Sequence, residues 1–216
     1  MTKKLFVLVA FFALLGGGAF AQLAIGVTGA LHMDQQMSAS EIANAYQNGD
    51  NILYGAFVEI LGKHLGLGVG ANFTAPYDTI GDGINLMDYD ADLYLSYHLF
   101  KATSFIDPFL EAGVGLMATT YQNSKDVQSG APDPIAASPY YYGALGLGIN
   151  LGRTIGVFGK FAYNIQIARQ LTYTDAYGDT QNTPYYGYWY QNANGVWVQY
   201  EYVPRLRFTM GLKLIL

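Results

Sequence analysis

Charged residues recur at every second position in several apolar segments of this 216-residue chain. Asp88, Asp90 and Asp92 alternate within one segment, and Arg205 and Arg207 alternate within another. Side chains at this spacing point to one side of a strand, where they could form ion pairs or line a path for ions. The three aspartates could instead ligate Ca²⁺, which prefers several oxygen ligands. The chain lacks the spaced loop of a known calcium motif, so no metal site is predicted.

Other charged residues share this placement opposite bulky apolar residues. An unpaired buried charge costs on the order of several kcal/mol, so we expect these groups to pair. We predict two layers of ion pairs that fill the interior, one toward each end of the fold; the alternative is a gate or an ion path. The predicted interior charges are Glu59, Asp88, Asp90, Asp92, Glu111, Lys160, Arg205, Arg207 and Lys213.

A histidine near two serines could support nucleophilic catalysis. His32 is followed closely by Ser38 and Ser40, and a histidine base needs a positioned nucleophile and an orienting carboxylate. No spacing typical of such a site accompanies this proximity, so we predict no catalytic residues. His64 and His98 are expected to be structural.

Residues 184–203 form the most unusual aromatic stretch of the chain. Residues 192–195 favour a hairpin turn, and no second turn precedes Pro204, so we predict a separate hairpin rather than two further strands of the main sheet. We favour an interfacial girdle with cross-strand packing, and the alternative is a recognition surface. The aromatic residues concerned are Tyr185, Tyr186, Tyr188, Trp189, Tyr190, Trp197, Tyr200 and Tyr202.

Segments of alternating apolar and polar residues must position these groups. In LGLGVGANF, residues 65–73, Leu, Val, Ala and Phe alternate with Gly and Asn. A period of two indicates β-strands with one apolar face. The eight predicted strands are residues 22–33, 52–61, 65–75, 88–99, 105–119, 140–151, 155–168 and 203–216.

The connections between these strands alternate between short and long. Tight turns at one end and extended loops at the other are typical of outer-membrane barrels, whose tight turns face the periplasm. The short connections are 62–64, 101–104 and 152–154, and the long ones are 34–51, 76–87, 120–139 and 169–202.

The composition is unusual for a protein surrounded by water. Hydrophobic residues make up 51% of the chain and charged residues 12%, about half the usual charged fraction of a soluble domain. Residues 22–216 carry 9 basic and 16 acidic residues, a net charge of −7. Nucleic acid is therefore excluded as a partner, because phosphate binding needs clustered Lys and Arg. The chain has no cysteine and hence no disulfide.

Residues 1–21 have the pattern of a secretory signal peptide. Lys3 and Lys4 precede an apolar run, and Ala19 and Ala21 form an A-x-A cleavage site before Gln22. The apolar run is too short for a membrane-spanning helix. We therefore expect export of the chain, with residues 22–216 forming one domain.

The glycines indicate which face of the strands is inside. An eight-stranded barrel leaves an interior just wide enough for side chains to fill. The face opposite the bulky aliphatic residues is rich in glycine and charge, which suits a crowded concave side. We therefore predict an all-β, eight-stranded antiparallel transmembrane barrel with its aliphatic face toward lipid.

The chain resembles the small outer-membrane β-barrels of the OmpA and OmpX type. The resemblance covers residues 22–216 in pattern and is carried by DPFLEAGVGL (107–116), YYYGALGLGINLG (140–152) and the alternating terminus LRFTMGLKLIL. The family commonly ends in an aromatic residue, and this chain ends in Leu216. The resemblance implies a bacterial outer-membrane location, contact with outer-membrane lipid and insertion by the barrel-assembly machinery.

The same barrel serves many tasks, so the resemblance specifies fold better than function. We expect a non-enzymatic protein without a cofactor, with a structural or surface-interaction role and an extracellular ligand for the long loops. The alternatives are a narrow pore for small solutes or ions and, less favoured, a lipid-modifying enzyme of the outer membrane.

Overall fold

The computed structural model describes residues 22–33, 52–76, 85–122, 135–167, 170–174, 177–184, 188–191, 197–200 and 206–216. The expected signal peptide lies outside this set, as do Ser38, Ser40 and Arg205. Within the described ranges, no helical segment is long and apolar enough to cross a bilayer.

Eight long strands close into an antiparallel barrel. The barrel strands are β1 (Gln22–Met33), β2 (Ile52–Leu61), β3 (Leu65–Thr74), β4 (Asn85–His98), β5 (Ile106–Gln122), β6 (Ile135–Leu151), β7 (Ile155–Gln166) and β12 (Leu206–Ile215). Each pairs with its neighbours in the order β5-β4-β3-β2-β1-β12-β7-β6, and pairing of β5 with β6 closes the sheet. This confirms the predicted fold class.

Four short strands lie within the last long connection: β8 (Gln170–Thr174), β9 (Thr180–Pro184), β10 (Tyr188–Gln191) and β11 (Trp197–Tyr200). β10 pairs with β11 in a sheet separate from the barrel, which agrees with the expected hairpin. β8 pairs with β9 and with the first residues of β6. The sequence pattern predicts a start for β6 only at residue 140, because Pro139 breaks the alternation and argues against a strand.

The two faces of the barrel wall differ sharply in exposure. On β4, the outward side chains of Leu93 and Leu95 are 49% and 44% exposed, whereas the inward Tyr94 and Ser96 are 5% and 3% exposed. The same alternation follows the other barrel strands. The aliphatic face is therefore outside, and the face that carries glycine and charge is inside.

Six inward glycines of the described strands lie directly opposite large aromatic residues on neighbouring strands. A Cβ atom added to Gly113 would come within 2.5 Å of the Tyr142 ring, and one added to Gly115 within 2.6 Å of the Tyr140 ring. Because these glycines have no side chain, the rings of the adjacent strands can occupy the space beside them. The paired positions are Gly26 with Phe57, Gly68 with Tyr94, Gly113 with Tyr142, Gly115 with Tyr140, Gly146 with Phe109, and Gly211 with Phe158.

Candidate functional site

Arg207 forms an ion-pair cluster across the lumen, toward the end of the barrel that bears the long connections. Its side chain is 2% exposed, and its Nη1 and Nη2 donate to Asp90 Oδ2 at 2.9 Å and Asp92 Oδ2 at 3.3 Å. Arg207 lies on β12 and the aspartates lie on β4, with β1, β2 and β3 between them in the barrel wall. The pairs therefore join opposite walls.

Neutral side chains complete the surroundings of these aspartates. Asn72 Nδ2 donates to Asp90 Oδ1 at 2.7 Å, and Thr28 Oγ1 donates to Asn72 Oδ1 at 2.9 Å. Thr119 Oγ1 donates to Asp88 Oδ1 at 2.5 Å. The first predicted layer of charge is thus held by hydrogen bonds from β1, β3 and β5 as well as by Arg207.

Lys160 and Glu111 form a second cluster in the middle of the lumen. Lys160 Nζ lies 2.5 Å from Glu111 Oε1, and Tyr142 OH donates to the same oxygen at 2.6 Å. The ammonium also lies 5.2 Å from the centre of the Tyr94 ring, a cation–π distance. The carboxylate of Glu111 and the faces of two aromatic rings therefore surround part of this buried cation.

A third cluster lies near the end of the barrel that bears the short turns. His98 Nδ1 lies 2.8 Å from Asp107 Oδ1, and Lys213 Nζ lies 3.4 Å from Asp107 Oδ2. His98 Nε2 lies 3.1 Å from Ser96 Oγ, which donates to Glu59 Oε1 at 2.5 Å. Residues from β2, β4, β5 and β12 thus meet in one network.

This third cluster places serine, histidine and aspartate in the order of a nucleophile, a base and an orienting acid. The hydroxyl proton of Ser96, however, is donated to Glu59, and Ser96, His98 and Asp107 are at most 3% exposed. The arrangement suits a buried hydrogen-bond network better than acyl transfer.

A small polar cavity of about 40 Å³ lies between the three clusters. In the described part of the chain, Arg207 Nε and Thr209 Oγ1 are buried without a hydrogen-bond partner, and both residues line this cavity. This volume is large enough to hold water molecules, and buried waters commonly satisfy such groups. The lumen between the charge clusters therefore has room for a few waters.

Three aromatic rings also meet across the lumen. Phe57 on β2 packs edge-on against Phe158 on β7, with ring centres 5.5 Å apart, and Phe109 on β5 lies 6.4 Å from Phe158. The His98 ring lies 5.7 Å from Phe109, which continues this contact toward the third cluster. These three phenylalanines belong to strands that are not neighbours in the wall. The rings therefore span the interior rather than coat one side of it.

Eight of the nine predicted interior charges lie in the described residues, and all eight point inward. The second predicted layer is divided into two clusters in the structure. Lys213 pairs with Asp107, and Glu59 accepts a hydrogen bond from Ser96, whereas Lys160 pairs with Glu111. The sequence pattern predicts only a structural role for His98 and does not single out Asp107. Both alternate in phase with the selected charges, which is the signal that could have found them.

For the predicted histidine and aromatic residues, the structure gives only the strand to which each belongs. His32 belongs to β1, and Ser38 and Ser40 lie outside the described residues. Tyr188, Trp189 and Tyr190 belong to β10, and Trp197 and Tyr200 to β11. Tyr185, Tyr186 and Tyr202 lie outside the described residues. Among the described residues, no group of three His, Asp or Glu side chains is placed to hold a metal ion.

The sequence matches no protein-family model and no curated protein. Solved structures match the fold. The N-terminal β-barrel domain of Pseudomonas aeruginosa OprF aligns with a TM-score of 0.50 and 13% identity, covering 91% of this chain and 98% of that one. Neisserial surface protein A (NspA) aligns with a TM-score of 0.52 and 11% identity, covering 89% and 95%. The chain therefore has the fold of the small, eight-stranded outer-membrane β-barrels.

Proposed function

We propose that this protein is a non-enzymatic barrel of the bacterial outer membrane that has a structural or surface-interaction role and does not conduct ions. The observation that carries the proposal is the cross-lumen pairing of Arg207, 2% exposed, with Asp90 and Asp92. An ion path requires a continuous column of water. The described lumen holds salt bridges and packed rings around a cavity of about 40 Å³.

The outer surface supports a location within lipid. Leucine, valine, isoleucine and aromatic side chains cover the outside of the barrel, many of them 40–60% exposed. Such a surface is stable in hydrocarbon and unfavourable in water. Barrel closure satisfies the backbone hydrogen bonds that hydrocarbon requires. Export through residues 1–21 and insertion by the barrel-assembly machinery are part of this proposal.

A surface role is supported by the placement of all four long connections at one end of the barrel. Loops held by a rigid scaffold commonly carry binding residues. The β10–β11 hairpin, in the aromatic stretch of the last connection, is the part of this end that we assign to an extracellular ligand. NspA, which shares the fold, is by name a surface protein.

Conductance in planar lipid bilayers tests the closed lumen. We expect no reproducible single-channel steps from the wild-type protein, whereas Arg207→Ala combined with Lys160→Ala should admit water beside unpaired carboxylates and raise conductance. Slower migration of boiled than of unboiled samples on a detergent gel shows that both proteins folded before insertion. Steady steps from the wild type that vanish in Arg207→Ala or Asp90→Ala would favour the narrow pore instead.

A further inference from the structure

Each short turn of the barrel carries one exposed basic residue. The three turns are residues 62–64, 99–105 and 152–154, which we call the short-turn rim; they carry Lys63, Lys101 and Arg153 and no Asp or Glu. All three basic side chains are exposed. Within the described ranges, none of the three forms an ion pair with a carboxylate. Their charge is therefore available to an external anion.

The opposite end of the barrel has the reverse charge. The long connections between the barrel strands, residues 34–51, 75–84, 123–134 and 167–205, contain ten acidic residues and three basic ones. The acidic residues are Asp34, Glu41, Asp50, Asp78, Asp82, Asp126, Asp133, Asp175, Asp179 and Glu201, and the basic ones are Lys125, Arg169 and Arg205. The chain thus separates charge along the barrel axis, although its net charge is negative. The rim cations are not part of a generally basic surface.

One backbone hydrogen bond joins two of the basic turns, and the side chain of Asn150 fixes one of them to β6. Ala102 N donates to Lys63 O at 3.1 Å, and Ala102 is 2% exposed. Asn150 Nδ2, from the end of β6, donates to Ala102 O at 3.1 Å and to Ser104 O at 2.6 Å. Lys63 and Lys101 therefore lie on adjoining turns that are fixed to each other, which lowers the entropy cost of binding one anionic surface.

Apolar side chains adjoin the rim on its lipid side. Phe100 and Phe105 are 55% and 65% exposed, and Leu151 and Ile155, beside the third turn, are 60% and 50% exposed. Aromatic and aliphatic residues at this position mark the edge of the hydrocarbon. Long basic side chains next to that edge reach the level of lipid headgroups.

We propose that the short-turn rim binds anionic phospholipids of the periplasmic leaflet through their headgroup phosphates. This inference rests on the proposed outer-membrane location, which places the short turns in the periplasm. Lys63 and Lys101 supply point charges, and the planar guanidinium of Arg153 can donate two parallel hydrogen bonds to one phosphate. A lipid is favoured over an anionic cell-wall polymer, because the exposed apolar residues beside the cations match acyl chains.

Native mass spectrometry of the full chain in detergent tests the proposal. The probes are phosphatidylglycerol and phosphatidylcholine with identical acyl chains. We expect the wild type to retain phosphatidylglycerol at least about tenfold more strongly, since each surface cation contributes roughly fivefold. The triple variant Lys63→Gln, Lys101→Gln and Arg153→Gln should bring the ratio of retained phosphatidylglycerol to retained phosphatidylcholine near one. The wild-type preference should weaken as salt increases, because exposed charges are screened.

The matched control removes Lys125 and Arg169, two of the three basic residues of the long connections, as K125Q/R169Q, and should keep the preference. A wild-type ratio near one, a triple variant that keeps the preference, or an equal loss in the control would each overturn the proposal. Rim-dependent binding to insoluble peptidoglycan without lipid preference would also overturn it, in favour of a cell-wall polymer. Conductance by a barrel that still prefers phosphatidylglycerol would refute the proposed closed lumen alone.

Discussion

Arg207 is the cation on which the ion pairs nearest the long connections depend. Its guanidinium joins two carboxylates of β4 and lies 5.5 Å from the centre of the Tyr142 ring. Removing one partner of a buried ion pair leaves an uncompensated charge, which is more costly than the pair is stabilising. The stability of the barrel should therefore depend on this residue more than on any exposed charge.

Arg207→Ala should lower the free energy of unfolding by about 3–5 kcal/mol, because Asp90 and Asp92 would stay buried without their cation. Urea unfolding in lipid vesicles, followed by tryptophan fluorescence, measures the change. Replacing Arg207, Asp90 and Asp92 together by Met, Asn and Asn should restore much of the loss. A loss in Arg207→Ala below about 1 kcal/mol would show that the cluster is hydrated rather than buried.

Ser96 tests whether the interior has hydrolase chemistry. Because its hydroxyl donates to Glu59 and its side chain is buried, the wild type should not react with a fluorophosphonate probe. Gel fluorescence after labelling of the folded protein measures the reaction, with a known serine hydrolase as the positive control. Labelling that is lost in Ser96→Ala would assign an enzymatic role to the Ser96, His98 and Asp107 network.

At the scale of the strand, glycine and aromatic residues act as cross-strand pairs. Gly113 lies beneath Tyr142, whereas Gly143 faces outward, and a Cβ atom added there would meet no described atom within 4 Å. The same residue type therefore has opposite packing requirements on adjoining strands. Inside, glycine makes room for a ring that fills the lumen; outside, it leaves a depression in the lipid-facing surface.

Gly113→Val should destabilise the barrel by about 1–3 kcal/mol through overpacking against Tyr142. Gly143→Val is the matched control and should be neutral or slightly stabilising, since valine favours strands and meets open space. Unfolding in lipid vesicles measures both variants. Equal effects of the two substitutions would contradict the assignment of inner and outer faces.

The eight strands can be predicted from the period of two, because alternation within one segment shows which face of the strand each side chain occupies. The ion pairs cannot be predicted in this way. Arg207 and Asp90 are 117 residues apart in the chain, and only closure of the barrel brings their strands to opposite walls. The pattern places Ser96 and His98 inside but gives no distance to Asp107 on β5. The pattern misses β8, because the pairing of β8 with β6 lies beyond Pro139.

At the scale of the whole molecule, a closed sheet without edges should resist detergent until it is heated. Unboiled protein should migrate faster than boiled protein on a detergent gel, since the closed barrel stays compact. A reducing agent should have no effect, because the chain contains no cysteine. Identical migration of the unboiled and boiled samples would contradict a membrane barrel. The Gly143→Val variant is the control and should show the same difference in migration as the wild type.

Arg207 and Lys213 both belong to β12, the last barrel strand along the chain, and their carboxylate partners belong to β4 and β5. The earlier strands therefore carry aspartates whose counterions belong to the last barrel strand. Without β12, Asp90 and Asp92 lack the cation that pairs with them in the closed barrel. When β12 pairs with β1, its cations also pair with these carboxylates. Ion pairs and backbone hydrogen bonds therefore both stabilise the closed barrel.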